Sequence, residues 1–183
     1  MTRSAIVLGI VAALLPAVGR ARAADVFDAV RCGGDIPRAL IGKTVPDTPI
    51  GRLEARHAAI DLEVIGSFGL DNGFSITSFR ICGTPYSLLV DRRIRDAVAL
   101  PPLSWTTPDL IGTCVRQGKP LPGTVMAILD NPQGLRKTGT PRDQATFLPA
   151  SRAWAIDEAR ARFVPLDVDG LTCPLGHMMD QAG

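Results

Sequence analysis

The sequence predicts an α+β fold: N-terminal helices packed on an antiparallel meander sheet, followed by a proline-rich loop region and a C-terminal hairpin, all braced by disulfides. Three observations carry that prediction. Capping residues and helical apolar spacing are confined to Asp25–Ala59. Short apolar runs broken by Asp-Asn-Gly, Cys-Gly-Thr-Pro and Asp-Arg-Arg follow, which is the pattern of strands joined by tight turns. Four cysteines, an even number, lie downstream of a leader-like N-terminus.

The leader comes first in the chain. Arg3 precedes the apolar run Ala5–Val18, and Ala21 and Ala23 then form an A-x-A pattern with cleavage expected before Ala24. The run is shorter than the roughly 20 residues a membrane-spanning helix needs, and Pro16 interrupts it. The expected organisation is therefore a signal peptide over 1–23 and a single α+β domain over 24–183, with no membrane span after cleavage. Removing Arg3, Arg20 and Arg22 leaves 17 basic against 18 acidic residues, so the formal charge moves from +2 to −1. A near-neutral chain lacks the basic footprint of a nucleic-acid binder. The densest basic cluster, Asp91-Arg-Arg-Ile-Arg-Asp96, is bracketed by aspartates and reads as a solvated turn. The predominance of Arg among the basic residues and the abundance of Ala fit a bacterial chain, hence a periplasmic or secreted location.

Within the domain, Asp25 caps a short helix that Gly33-Gly34 ends, and Asp35 caps another turn. Asp47 or Thr48 caps a helix running to about Ala59, with Pro49 in its first turn. Ile50, Leu53 and His57 share its apolar stripe. A strand is expected from about Ile60, since Ile60–Val64 alternates apolar with acidic and Asn72-Gly73 demands a preceding strand. Strands are predicted at about 60–69, 74–82, 85–91 and 94–100, with Gly66 and Gly69 marking a bulge or twist in the first. In the fourth, Ile94, Val98 and Leu100 are assigned to one face and Asp96 stands out as an exception. From Pro101 to Ala150 prolines concentrate and loops dominate, except for a buried strand at Thr124–Asp130. Arg152–Asp157 and Arg162–Val168 form a last hairpin around Glu158–Arg160. A helix followed by an antiparallel meander resembles the layout of cystatins and other small secreted enzyme inhibitors, although the Gln-x-Val-x-Gly signature of cystatins is absent.

Cys32, Cys82, Cys114 and Cys173 are the residues the sequence singles out, as disulfide partners. No Cys-x-x-Cys occurs, which argues against a thioredoxin-like redox site, a zinc knuckle or covalent haem attachment. Of the three possible pairings, Cys32–Cys82 and Cys114–Cys173 are favoured; the first ties an N-terminal helix to the sheet, the second a long loop to the tail. Cys82 at the mouth of a tight turn is read as a structural link and not as a nucleophile.

Other chemistry is thin. Glu54, His57 and Asp61 would cluster on a continuous helix, as half a di-metal motif or as an acid-poised general base. If a strand begins at Ile60, Asp61 leaves that cluster, and His57 reads as a core histidine. Gly66-Ser-Phe-Gly69 falls one residue short of a nucleophile elbow and runs into a hairpin. Ile41-Gly-Lys-Thr44 lacks the first glycine of a phosphate loop. Cys173-x-x-x-His177 needs two further ligands to hold a metal. Trp105 is the one aromatic placed in an exposed loop. The sequence thus designates no catalytic, cofactor-binding or metal-binding residue. It predicts an exported non-catalytic binding protein, of inhibitor, immunity or envelope-assembly kind, whose partner is a protein or small ligand of the envelope. The alternative is a periplasmic hydrolase using His57 with an acidic partner.

Overall fold

The computed structural model describes residues 25–45, 48–102, 109–130 and 146–175, with the backbone alone over 109–111. The leader, the Asp47 cap, Trp105, His177 and residues 103–108 and 131–145 of the proline-rich stretch lie outside the described residues. The fold is a mixed one, mostly antiparallel sheet with few helices and two disulfides.

The N-terminal cap is built from short pieces. A 3-10 turn, Val26–Ala29, is closed at both ends of a capping box: Asp25 Oδ1 accepts from Phe27 N–H, and Asp28 Oδ2 accepts from Asp25 N–H. α1 (Ile36–Leu40) has Asp35 as its cap and Pro37 in its first turn, as their positions predict. α2 (Ile50–Arg56) is shorter than the sequence suggests. It gives way to a 3-10 turn, Ala58–Ile60, and Asp61 then takes a left-handed conformation (φ 48°) that redirects the chain. The first strand accordingly begins at Glu63 and not at Ile60. The alternation Ile60–Val64 is that of a turn crossing from cap to sheet. Ile50 is also displaced from its expected place in the core: it is 57% exposed, while Leu53 and His57 are buried. Ile50 is the first residue of the helix, and Leu53, one turn on, is its buried residue.

The first sheet is the predicted meander, in the order β1-β2-β3-β4: β1 (Glu63–Gly69), β2 (Ser75–Ile81), β3 (Thr84–Val90) and β4 (Ile94–Ala99). Its turns follow local chemistry. Asp71-Asn72-Gly73 joins β1 to β2, with Gly73 at φ 85°. Cys82-Gly83 joins β2 to β3 as a two-residue loop with both φ positive, the signature of a type I′ turn. The Asp91 carboxylate accepts from Arg92 and Arg93 N–H to close the third. The predicted irregularity at Gly66 is present as a register shift between Val64 and Gly66. A second shift, between Leu89 and Val90, was not foreseen. It turns Ile94 toward the helices, whereas Val98 and Leu100 face the other way, so these three do not share a face.

The single meander is only half the architecture. A second sheet runs β5-β8-β9-β11-β6-β7, with β10 added to β9. Its strands are β5 (Asp109–Gly112), β6 (Val115–Arg116), β7 (Lys119–Pro120), β8 (Val125–Leu129), β9 (Phe147–Asp157), β10 (Arg162–Leu166) and β11 (Leu171–Pro174). β5 and β6 are separated only by Thr113-Cys114, yet they stand far apart in the order of the sheet. The sheet must therefore roll up to bring them together. β9 is its spine: its N-terminal part pairs with β11, its middle with β8, and its C-terminal half with β10. The predicted hairpin around Glu158–Arg160 is the β9–β10 connection, where Asp157 accepts from Arg160 N–H.

Three apolar layers result. Val26, Phe27, Val30, Leu40 and Leu53 pack with Phe79, Ile81, Tyr86 and Leu88 between cap and first sheet. Ile76, Leu89 and Leu100 meet Met126, Ile128, Trp154, Ile156 and Phe163 between the sheets. Val125, Ala127, Leu129, Ala153 and Leu171 fill the roll with the second disulfide. β8 serves two layers at once, which is why all five of its residues are buried and why its sequence is continuously apolar.

Candidate functional site

The described residues concentrate their buried charge under the N-terminal cap. His57 ends α2 and sits 6% exposed, its ring edge-on to Phe27 at 5.5 Å between centroids. Its Nε2 lies 3.3 Å from Asp25 Oδ2, and the Asp25 side chain is only 2% exposed. Neither atom has a hydrogen-bond partner in line, so the contact is a close polar pairing outside hydrogen-bond geometry. Arg56 completes the group: its guanidinium is 3.6 Å from Asp25 Oδ2 and bonds Asp28 Oδ2 at 2.9 Å. The backbone N–H of Asp25, and then the Arg56 guanidinium, hold the Asp28 carboxyl below the usual aspartate range.

The acid beside His57 is therefore Asp25, which the sequence assigned only a capping role. Asp25 does cap the first turn, through Oδ1, and turns Oδ2 inward. The acids the sequence grouped with His57 are elsewhere. Glu54 Oε1 accepts from Val64 N–H at 2.9 Å and ties α2 to β1. Asp61 is exposed at the left-handed turn. Asp25 and His57 lie on different elements, and no local spacing joins them; only a capping aspartate next to a buried phenylalanine hinted at inward burial. Ser67, the serine of the near-elbow, is exposed and bonds Thr77 across the β1–β2 pair.

Beside Asp25 opens a cleft of about 460 Å³, lined by Asp25, Val26, Asp28 and Ala29 on one wall and Lys43 and Thr44 on the other. Lys43 and Thr44 belong to Ile41-Gly-Lys-Thr44, the incomplete phosphate-loop pattern of the sequence. Here its backbone is spent on β4, with Lys43 C=O accepting from Ile94 N–H and Gly42 N–H donating to Ile94 C=O. Among the described residues no three His, Cys, Asp or Glu side chains gather as a metal site, and no helix is long and apolar enough to cross a membrane.

The four cysteines form Cys32–Cys82 and Cys114–Cys173. The first joins the segment after the 3-10 turn to the β2–β3 loop, where Cys82 N–H also donates to Ile60 C=O at 2.6 Å. The second joins the β5–β6 junction to β11 inside the roll. Comparison with family models, with curated proteins and with solved structures gave no match for this chain.

Proposed function

We propose that the chain is an exported, non-catalytic binding domain of the bacterial envelope, of inhibitor, immunity or envelope-assembly kind, acting on a protein or small-ligand partner. One observation carries this reading: the histidine–acid pair of the cap is sealed from solvent and turned upon itself, Nε2 to Oδ2 at 3.3 Å. A general base must reach a substrate proton within hydrogen-bond distance. A buried imidazole facing a buried carboxylate instead holds α2 against the first turn. Two disulfides fit maturation in an oxidising compartment. For a small ligand, the cleft beside Asp25 offers the carboxylate of Asp28 opposite the ammonium of Lys43.

The test has two parts. A C-terminally tagged chain expressed in a bacterium should be recovered from the periplasm with Ala24 at its N-terminus and no free thiol; intact chain beginning at Met1 in the cytosol with reduced cysteines sinks the export reading. Replacing His57 with Ala should lower the melting temperature and leave partner binding by the folded fraction intact. A His57→Ala protein of unchanged stability that has lost a hydrolytic activity of the parent decides for a hydrolase built on His57 and Asp25.

A further inference from the structure

The two disulfides differ in access. Cys32 is solvent-exposed and Cys82 half-buried, flanked by the exposed Arg31, Gly33, Gly34 and Gly83. Cys114 and Cys173 are both 0% exposed, inside the layer formed by Val125, Ala127, Leu129 and Leu171. Thiol–disulfide exchange needs a thiolate to reach one sulfur along the S–S axis, so its rate follows access. A reductant meets Cys32 in the folded protein, whereas Cys114–Cys173 is reached only after the rolled sheet opens.

The accessible bond also holds the less self-sufficient element. The segment 25–45 consists of a four-residue 3-10 turn and a five-residue helix, and helices this short do not persist without tertiary support. Its other ties are the buried Val26, Phe27, Val30, Ile36 and Leu40, the contacts of Asp25 and Asp28 with Arg56 and His57, and, at its far end, the backbone bonds of Gly42 and Lys43 with Ile94. The sheet side of the bond is anchored independently, since the β2–β3 ladder and the Cys82 N–H to Ile60 C=O bond do not depend on sulfur.

We propose that Cys32–Cys82 is a redox latch on the N-terminal cap. A dithiol reductant, of the small-molecule or Cys-x-x-Cys protein class, opens it in the folded chain while Cys114–Cys173 stays closed. The reductant thiolate attacks Cys32 Sγ, the S–S bond breaks, and Cys82 leaves as a thiolate that takes up a proton. The second thiol of the reductant attacks the mixed disulfide and releases Cys32. Two electrons and two protons pass to the chain, and the reductant ends as its own disulfide. The opened cap exposes Asp25, His57 and the adjoining cleft without dismantling either sheet.

Graded dithiothreitol on the oxidised mature protein, with maleimide trapping and peptide mass mapping, tests this. Cys32 and Cys82 should be labelled at least about tenfold faster than Cys114 and Cys173. Hydrogen exchange should then rise over 25–45 and stay slow over 125–129 and 153–157. Simultaneous opening of both bonds, prior opening of Cys114–Cys173, or unchanged exchange over 25–45 once Cys32–Cys82 is open overturns the latch. The double variant Cys32→Ser/Cys82→Asn, whose Asn tolerates the left-handed turn position, should show the same raised exchange without reductant. Global unfolding of that variant also overturns the proposal, because a latch requires a folded open state.

Discussion

The two sheets solve the same problem in opposite ways. The first is a meander whose strands pair with their neighbours in sequence, and it is completed by a helical cap joined to it through a surface disulfide. The second adds to two short hairpins the pairing of strands distant in sequence, and its disulfide is buried within its own core. In the first, the link connects two elements that each have other anchors. In the second, it fastens the roll where β5, β6 and β11 converge. Position, more than the length of chain enclosed, then sets what a cross-link does, because the enclosed separations are similar at 50 and 59 residues.

Deleting each bond in turn is the strongest way to break that comparison. The chain-entropy model assigns about 4 kcal/mol to either loop. The Cys114→Ala/Cys173→Ala protein should lose more than that, because buried sulfur packing goes with the cross-link. The Cys32→Ser/Cys82→Asn protein should lose no more than about 4 kcal/mol. Equal losses by denaturant unfolding would mean that loop closure alone accounts for both. Next in size are core truncations. Leu129→Ala inside the roll and Leu89→Ala between the sheets should each cost about 2–5 kcal/mol. They should add, since they lie in different layers, whereas Leu89→Ala with Met126→Ala should deviate from additivity.

A smaller effect probes the seam between the sheets. Asp96 Oδ2 accepts from Phe163 N–H at 2.7 Å, so a β4 carboxylate ties the first sheet to the backbone of β10. Asp96→Ala should cost about 1–3 kcal/mol, and Asp96→Asn less, read by thermal unfolding. The smallest effect is acid sensitivity. Asp28 lies below its ordinary pKa first through the Asp25 N–H, and Asp157 first through the Arg160 side chain. A carboxyl whose folded pKa is lowered stabilises the fold above its unfolded value and loses that contribution as pH falls through the folded one. Stability should therefore decline below about pH 4, and Asp28→Asn should flatten that decline at the cap without touching the roll.

The difference between the sheets also explains what could be read from the chain. Asn72-Gly73, Cys82-Gly83 and Asp91-Arg-Arg93 write the first meander in short-range chemistry, and each turn lies where the sequence puts it. β8 was legible because burial on both sides leaves a continuous apolar run. Of the three pairings of β9, only the hairpin with β10 was legible, since its partners at 125–129 and 171–174 carry no mark of which strand they meet. Asp96 stood out as a misfit in an apolar strand; its reason, the Phe163 N–H, is 67 residues away. The candidate site fared similarly. His57 was legible as a buried histidine, but its acid was sought at helical spacing in Glu54 and Asp61, when packing supplied Asp25 from another element. Ile50 misled because periodicity shows which residues share a stripe and not how far the underlying layer extends.

The split between local and distant pairing has a consequence during synthesis. Every strand of the first sheet, and both cysteines of its bond, lie at or before Ala99, so that half can assemble before the rest of the chain is delivered. The half so formed presents Ile76, Leu89 and Leu100 bare, as a waiting template. The second half has no spine until Phe147–Asp157 arrives, and then it condenses onto a surface already in place.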